Sequence, residues 1–184
     1  MAKEVKGFFY PDSLVIIGVS DAASNLARVI VENLERFGYG GRVYPVGNSG
    51  EAVGGRRILR NVAEIQESPD LAVLLVPARF VPEQLAACGR KGIRRVIIET
   101  GGFSEYSAEN RVLEDQAMEI ARQYGMRLVG PNCFGVINFD IGLTLPAGRA
   151  FCAVEKQPFR RGYVVARLLP DSRYAARSAV LRGY

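Results

Sequence analysis

The chain has 184 residues, of which 48% are hydrophobic and 23% are charged, a size and a balance typical of one globular domain. No apolar run approaches the roughly 18 residues that span a bilayer, and the charged start MAKEVKGFFYPDS lacks the apolar stretch of a secretory signal, so we predict a cytoplasmic protein with no membrane partner. Residues 151–184 carry the whole net charge of +5, whereas residues 1–150 are neutral, which excludes a specific nucleic-acid surface on the main part of the chain.

Strand and helix patterns then alternate along the chain. Continuous apolar runs predict strands that are buried on both faces, at residues 13–19, 42–46, 70–77, 94–102 and 126–132. Helical spacing of apolar residues predicts helices at 25–37, 81–91 and 107–124, with a short stretch at 58–65. Five strands joined by helical crossovers predict an α/β fold, a Rossmann-like doubly wound parallel sheet. We assign residues 1–150 to this domain and residues 151–184 to a linker remnant with a basic tail.

Ligands of such sheets bind beyond the carboxyl ends of the strands. The residues that follow the five predicted strands are small, or carry hydroxyl or amide groups, so backbone N–H groups can approach a ligand closely. They are Gly18, Ser20, Asn25, Val46, Asn48, Pro77, Ala78, Thr100, Gly101, Gly102, Gly130, Pro131 and Asn132. This set contains no evident acid–base pair and predicts a crevice that binds a large polar molecule.

The first turn, GVSDAAS, keeps only Gly18 of the dinucleotide fingerprint G-x-G-x-x-G, because Ser20 and Ala23 replace the other two glycines. The helix that follows still offers N–H groups and the positive end of its dipole to a pyrophosphate. Ser20, Ser24 or Asn25 could add hydrogen bonds. The alternative is that Ser24 or Asn25 simply caps the helix.

The second predicted strand ends in PVGNSG, without the carboxylate that usually binds the ribose diol of NAD. Asn48 and Ser49 could hydrogen-bond a ribose or tolerate a phosphate on it. This end of the sheet therefore argues against NAD and leaves room for a phosphorylated ribose.

The sequence contains no histidine. This excludes Ser-His-Asp and Cys-His catalysis, histidine ligation of metals and phosphohistidine chemistry within the chain. The cysteines Cys88, Cys133 and Cys152 form no CxxC pair, so we expect buried side chains rather than a disulfide framework or a zinc site.

Four segments together resemble a known family: FFYPDSLVIIGVS (8–20), YGGRVYPVGN (39–48), DLAVLLVPARFVPEQLAACGRKGIRRVIIETGGFSE (70–105) and MRLVGPNCFGVIN (126–138). In order and spacing they resemble the CoA-binding domain of NDP-forming acyl-CoA synthetases, a superfamily that includes the succinyl-CoA synthetase alpha subunit. The resemblance covers about residues 7–162. Its specificity comes from the combination of VPA, GGF and GPNCFGV after the third, fourth and fifth strands.

The resemblance implies that the crevice binds coenzyme A. The diphosphate loop would be Gly18, Val19 and Ser20, with Asn25 where many members have lysine. The end of the second strand, from Pro45 through Val46 to Asn48, would face the adenosine. The nucleotide and pantetheine path would run along Val76, Pro77 and Ala78, and the thiol would lie nearer Thr100, Gly101 and Asn132. The candidate phosphate partners are Arg28, Arg56, Arg57 and Arg79, each of which also fits a solvated surface arginine.

The sequence departs from the resemblance after EKQPFRRG (155–162), which is similar to the linker toward the family's second domain. The remaining residues, 163–184, are arginine-rich and match neither a phosphate loop nor a domain carrying the family's histidine. Three interpretations of this tail stay open: a truncated or frame-altered remnant, an arm that packs on a partner or on a second copy, and a disordered basic tail.

We therefore expect a module that binds CoA or an acyl-CoA and is inactive alone, and that could serve a ligase together with an ATP-grasp partner chain. The alternatives are an NAD(P)-binding domain of an oxidoreductase or redox sensor, and an interaction-only Rossmann fold.

Cys133 is an unconvincing nucleophile because no base is guaranteed near it. Glu99 ends the fourth strand and could orient the pantetheine or a partner's reacting group, although a cap or an ion pair is the commoner role. Whether the chain forms a homo-oligomer stays open.

Overall fold

The computed structural model describes residues 3–48, 50–147 and 163–164. The helices are α1 (Lys3–Phe9), α2 (Leu26–Arg36), α3 (Val81–Arg90) and α4 (Arg111–Gln123). The strands are β1 (Ser13–Ile17), β2 (Arg42–Val46), β3 (Ala52–Val53), β4 (Arg56–Arg57), β5 (Leu71–Leu74), β6 (Arg95–Ile98), β7 (Arg127–Val129), β8 (Val136–Asn138), β9 (Leu143–Thr144) and β10 (Tyr163–Val164).

The main sheet contains five parallel strands in the order β2-β1-β5-β6-β7. The chain moves from β1 to β2 on one side and then returns to place β5 on the other side of β1. The direction of winding therefore reverses between β1 and β5, and a crevice forms outside the carboxyl ends of the strands at such a point. The predicted doubly wound α/β fold is confirmed.

The strands are continuous apolar runs because both faces of the sheet are covered. From β1, Leu14 and Ile16 enter the core that contains α2, β8 and β9. Val15 and Ile17 enter the opposite core, formed with α3 and α4. A strand of a parallel sheet with two buried faces needs no alternation of polar side chains.

The described residues of the crossover from β2 to β5 contain no α-helix, so the prediction of a helical crossover was wrong there. These residues form the hairpin β3–β4 and a 3₁₀ turn, Val62–Glu64, which Asn61 and Glu64 close with a reciprocal capping box. The predicted helix at 107–124 begins with a second 3₁₀ turn, Ala108–Asn110, and becomes α-helical at Arg111.

Three features were not predicted: α1, the hairpin β3–β4 and the small antiparallel sheet β10-β8-β9. Phe8 and Phe9 of α1 are buried, and Asn138 Nδ2 donates a hydrogen bond to the carbonyl of Phe9 at 2.8 Å. The helix therefore forms through contacts with a segment about 130 residues away in sequence.

Within the described ranges, no helix is long and apolar enough to cross a membrane. The boundary at residue 150, Cys152 and the three interpretations of the tail fall outside the described residues, apart from the two-residue strand β10, and stay predictions.

Candidate functional site

The turn after β1 is tied to the end of β2. The N–H groups of Gly18 and Val19 both donate to the carbonyl of Val46, at 2.9 and 3.0 Å. Gly18 has φ +107°, and a Cβ there would clash with the carbonyl of Leu75 and lie 3.1 Å from Val76 Cγ1. Only glycine allows both this positive φ and this close approach without strain. The surviving glycine of the fingerprint therefore lets β1 approach the end of β5.

A threonine joins the ends of β5 and β6. Thr100 Oγ1 donates to the carbonyl of Val76 at 2.8 Å and accepts from the N–H of Val76 at 3.2 Å. The carbonyl of Thr100 in turn accepts from the N–H of Asn132 at 2.9 Å, which joins the end of β6 to the loop after β7. Asn132 has φ +53°, a conformation that asparagine tolerates better than most residues. The loop also contains a cis peptide bond between Gly130 and Pro131.

These contacts bring residues of all five predicted loops into one row. Following the order of the sheet, the row is Val46, Gly18, Val76, Thr100 and Asn132. With a strand spacing of about 4.8 Å, it extends roughly 19 Å across the carboxyl edge. Gly101 lies beside it, since a Cβ there would be 3.3 Å from Asn132 Oδ1, and Gly102 faces Ala78.

Asn25 shapes the first turn of the site. Its Oδ1 accepts from the N–H of Arg28 at 2.7 Å and caps α2, and its Nδ2 donates to the carbonyl of Gly18 at 2.9 Å. Asn25 therefore caps α2, and whether it also contacts a ligand stays a prediction. The amides of Gly18 and Val19 are already used by Val46, so Ser20, half-buried at the start of the turn, is the next polar residue that can face a ligand.

The four predicted arginines differ in their surroundings. Arg28 pairs with Glu32 at 2.6 Å and also donates to the carbonyl of Asp21. Arg56 donates to the carbonyl of Gly54 at 2.9 Å. Arg79 lies 4.7 Å from the ring centre of exposed Phe80, and Arg57 is exposed on β4.

The sequence interpretation missed Arg60. Its Nη1 donates to the carbonyl of Asn48 at 2.5 Å, because Leu59 lies alongside Val46 and extends the sheet edge by one bridge. The available signal was the run RRILR directly after the glycine-rich loop. Arg60 is the basic side chain hydrogen-bonded to the loop at the predicted adenosine end.

Glu105 was missed as well. Its carboxylate accepts from the N–H of Gly102 at 2.7 Å and from the N–H of Phe103 at 3.1 Å. Asn110 Nδ2 donates to the carbonyl of Gly102 at 2.8 Å. These contacts fix the GGF loop and leave Gly101 exposed toward Asn132.

Cys133 belongs to the loop after β7, and Glu99 lies beneath that loop. Cys133 is buried, its Sγ contacts the carbonyl of Ile98 at 3.4 Å, and burial raises the pKa of the thiol to about 12. The thiol stays protonated at neutral pH and is a poor nucleophile. Glu99 is also buried, which raises the pKa of its carboxyl group to about 8. Among the described residues it neither caps a helix nor forms an ion pair.

The described part of the chain also contains no group of three or more Cys, Asp or Glu side chains placed to hold a metal ion.

A parallel sheet whose carboxyl edge is closed by small residues around a helix N-terminus defines a nucleotide-binding module of the Rossmann-like class. The chain belongs to the CoA binding domain family, whose pattern matches residues 12–138, and its expected ligand is therefore coenzyme A.

Two curated relatives are ligases. The sequence is 41% identical over 137 residues to the alpha subunit of the acetate–CoA ligase [ADP-forming] I of Pyrococcus furiosus, covering 72% of this chain and 30% of that protein. It is 36% identical over 148 residues to the acetate–CoA ligase [ADP-forming] of Methanocaldococcus jannaschii, covering 80% of this chain and 20% of that protein. The matched part of the chain therefore spans 20% to 30% of the length of these relatives.

A solved structure gives the same result. The dinucleotide-forming acetyl-coenzyme A synthetase 1 of Candidatus Korarchaeum cryptofilum superimposes with a TM-score of 0.74 at 30% identity, over 78% of this chain and 31% of that one. The predicted family and fold are confirmed. The individual site residues stay predictions.

Proposed function

We propose that the row from Val46 to Asn132 holds coenzyme A or an acyl-CoA in an extended conformation. The adenosine lies at the end of β2 and the diphosphate at the N-terminus of α2. The pantetheine arm follows Val76, Pro77 and Ala78, and its sulfur reaches Gly101 and Asn132. The observation that carries this proposal is the unbroken row of contacts across the five strand ends, whose length suits a long ligand rather than a mononucleotide.

The diphosphate position rests on the turn after β1. The helix that follows has eleven residues and no acidic side chain in its first turn, so its dipole favours an anion there. In this proposal, Gly18 and Val19 supply the shape of the turn, and Ser20 supplies a hydrogen bond to the phosphates. Exposed Asp21 is an adverse charge at this turn, and water and salt screen part of its effect.

The adenosine position rests on charge. Neither sequence neighbour of Asn48 is acidic, and Arg60 is hydrogen-bonded to the carbonyl of Asn48. The carboxylate of Asp21 packs against Gly50 of the same loop. A phosphate on the ribose would meet Arg60 and exposed Arg57 within this proposal. NAD lacks that phosphate, so the same arrangement favours CoA over NAD.

We extend the activity of the longer relatives to this chain only as a proposal. The relatives are named as ADP-forming ligases, and this chain contains no histidine. We infer that any phosphoryl transfer is performed by an ATP-grasp partner chain or domain in the cytoplasm, and that the module alone binds without turnover. Large apolar side chains exposed at this edge offer a surface to that partner, namely Leu26, Phe80, Tyr106 and Phe134.

Calorimetric titration with CoA, 3′-dephospho-CoA, NAD and NADP tests the ligand. We expect CoA to bind most tightly, and loss of the 3′-phosphate to weaken binding by about tenfold, as expected for one charge-assisted contact of roughly 1.5 kcal/mol. Tight binding of NAD would replace CoA by a nicotinamide ligand.

Ser20→Phe tests the diphosphate position. The ring should fill the space at the turn and weaken CoA binding at least tenfold, with the free energy of unfolding unchanged. The matched control is Ser68→Phe, an exposed serine in the loop before β5 at the opposite end of the sheet. Unchanged affinity in the Ser20 variant would show that the diphosphate binds elsewhere.

Turnover in a ligase assay by the isolated chain would contradict the inferred need for a partner.

A further inference from the structure

Glu99 is a buried carboxyl group that the proposed binding mode does not use. It directly follows β6 and is 8% exposed. One carboxyl oxygen accepts a hydrogen bond from the N–H of Ala147. The other, Oε1, is buried without a hydrogen-bond partner among the described residues. Unsatisfied buried oxygens are rare because nothing compensates for their lost hydration.

The free oxygen lies against the loop that carries Asn132. A Cβ at Gly135 would clash with Glu99 Oε1 and lie 2.9 Å from Leu145 Cβ, so the backbone of Gly135 is held between these two side chains. Gly135 has φ +77°, which favours glycine. The loop Gly130–Gly135 therefore sits directly on the carboxyl group. Its other end is joined to β6 through the N–H of Asn132 and the carbonyl of Thr100.

The surroundings of Glu99 suit a neutral carboxyl group and not a carboxylate. In the described part of the chain, the titratable group that faces it is the Cys133 thiol, which burial keeps protonated. The segment after β9 brings the apolar side chain of Leu145 to the same face of Gly135 as Glu99 Oε1. Burial raises the pKa of Glu99 to about 8, against its ordinary value of 4.5. A charge formed here would have one N–H donor and no counterion from these residues, which is unfavourable in an apolar site.

We propose that Glu99 is a proton-dependent latch beneath the loop Gly130–Gly135. While the carboxyl group is neutral, the loop packs on it and Asn132 stays beside Gly101. When the carboxyl group loses its proton, the carboxylate draws in water, displaces Gly135 and releases the loop from the end of β6. The effect on ligand binding rests on the proposed function, because Asn132 is assigned there to the sulfur end of an acyl-CoA. The movement of the loop does not.

The latch makes a signed prediction for stability. Because the pKa is raised in the folded protein, the folded state keeps a proton that the unfolded chain has lost between pH 4.5 and pH 8. The contribution of Glu99 is therefore fully present below pH 4.5 and is lost as the pH rises to about 8, by up to about tenfold in the unfolding constant per pH unit. Glu99→Gln removes this slope.

Hydrogen exchange of the ligand-free full chain tests the latch itself. Amide exchange is measured for residues 130–136 in the wild type and in Glu99→Gln at about pH 6.5 and pH 9, so intrinsic rates cancel between the two proteins at each pH. We expect equal exchange at pH 6.5 and roughly five- to tenfold faster exchange in the wild type at pH 9. The reference segment Ser13–Ile17 should not change. Equal ratios at both pH values, or equal loss of protection in the reference segment, would overturn the latch.

If Glu99→Gln does not fold, the wild type alone decides. Its exchange at residues 130–136, corrected for intrinsic rates and normalised to Ser13–Ile17, should rise through an inflection near pH 8, and a flat ratio overturns the latch.

Calorimetry with acetyl-CoA separates the latch from the proposed function. Wild-type affinity should fall at least fivefold from pH 6.5 to pH 9, while Glu99→Gln changes less than twofold. No binding by either protein at pH 6.5 would overturn the proposed function, and hydrogen exchange alone would then decide whether the latch exists. Binding that weakens equally in both proteins would overturn the coupling of the latch to the ligand.

Discussion

At the amino end of the main sheet, charged and phenolic side chains close the structure, whereas at the carboxyl end small residues and backbone groups do so. Asp70 Oδ2 accepts from the N–H groups of Asp12 and Ser13, both at 3.0 Å, and from Ser13 Oγ at 3.1 Å. Tyr39 donates to the carbonyl of Pro11 at 2.7 Å. The carboxyl end instead relies on Gly18, Thr100 and Asn132. The amino end is therefore held by charged and phenolic side chains, whereas the carboxyl end is held by glycine, a hydroxyl group and backbone hydrogen bonds, which suits the edge of the sheet where ligands bind.

The largest effect should come from the amino end. Asp70→Ala removes the acceptor of three hydrogen bonds and leaves two backbone N–H groups of the β1 start without it. We expect the free energy of unfolding to fall by about 2–3 kcal/mol, measured by urea denaturation, with CoA affinity unchanged at a temperature where the variant is folded. Asp115→Ala, on the exposed face of α4, is the control and should change stability by less than about 0.5 kcal/mol. A parallel loss of CoA affinity would erase the distinction between the two ends.

Thr100→Val should affect both properties, because Thr100 belongs to the carboxyl end and is also buried. Losing the hydroxyl leaves the Val76 carbonyl and N–H without their partner and lets the ends of β5 and β6 separate. We expect a loss of about 1–2 kcal/mol in stability and a three- to tenfold loss in CoA affinity by calorimetry. Thr144→Val is the matched control, because Thr144 Oγ1 is buried without a partner among the described residues. The control should be neutral or stabilising, and an equal loss in both variants would contradict the role given to the hydroxyl.

Asn132→Gly isolates the ligand contact from the fold. Glycine accepts φ +53° at least as well as asparagine, so thermal unfolding should shift little. The missing amide should weaken acyl-CoA binding about five- to tenfold, the equivalent of roughly 1 kcal/mol for one hydrogen bond. Asn132→Asp, which keeps the shape and loses the donor, should weaken binding similarly. Unchanged acyl-CoA affinity in both variants would show that Asn132 does not contact the ligand.

The smallest effect should come from charge at the turn after β1. Asp21→Asn removes the adverse carboxylate next to the proposed diphosphate and should raise CoA affinity about twofold in low salt. The gain should shrink at about 0.5 M salt, because exposed charges are screened over a few ångströms there. Asp115→Asn should leave the affinity unchanged. A weaker binding by the Asp21 variant would show that the turn does not face an anion.

The strands of the main sheet could be predicted from sequence, since a run such as that of β1 has a local cause, burial on both faces. The helix α1 could not. It has seven residues, and a helix of that length is not stable alone, so the contact of Phe9 with Asn138 decides it. The crossover between β2 and β5 was equally hidden, because Asn61 and Glu64 produce a 3₁₀ turn where a helical crossover was expected.

The location of the site was predictable, because the carboxyl edge of a doubly wound sheet binds ligands whatever the residues. The hydrogen bonds within the site were not predictable. The hydrogen bonds of the Gly18 and Val19 amides to Val46, and of Thr100 to Val76, depend on which strands are neighbours, and sequence patterns do not fix that order. The burial of Glu99 has the same origin, since it depends on Gly135 and Leu145 reaching the end of β6.

The double hydrogen bond to the carbonyl of Val46 has a consequence for how the ligand arrives. Because the turn after β1 is already folded, the protein would lose little conformational entropy to loop ordering if the nucleotide half of CoA docks there as proposed. The first encounter should therefore be governed by that rigid half. The other end of the proposed site, where the loop Gly130–Gly135 rests on Glu99, can then adjust to different acyl groups without altering the rate of the first encounter.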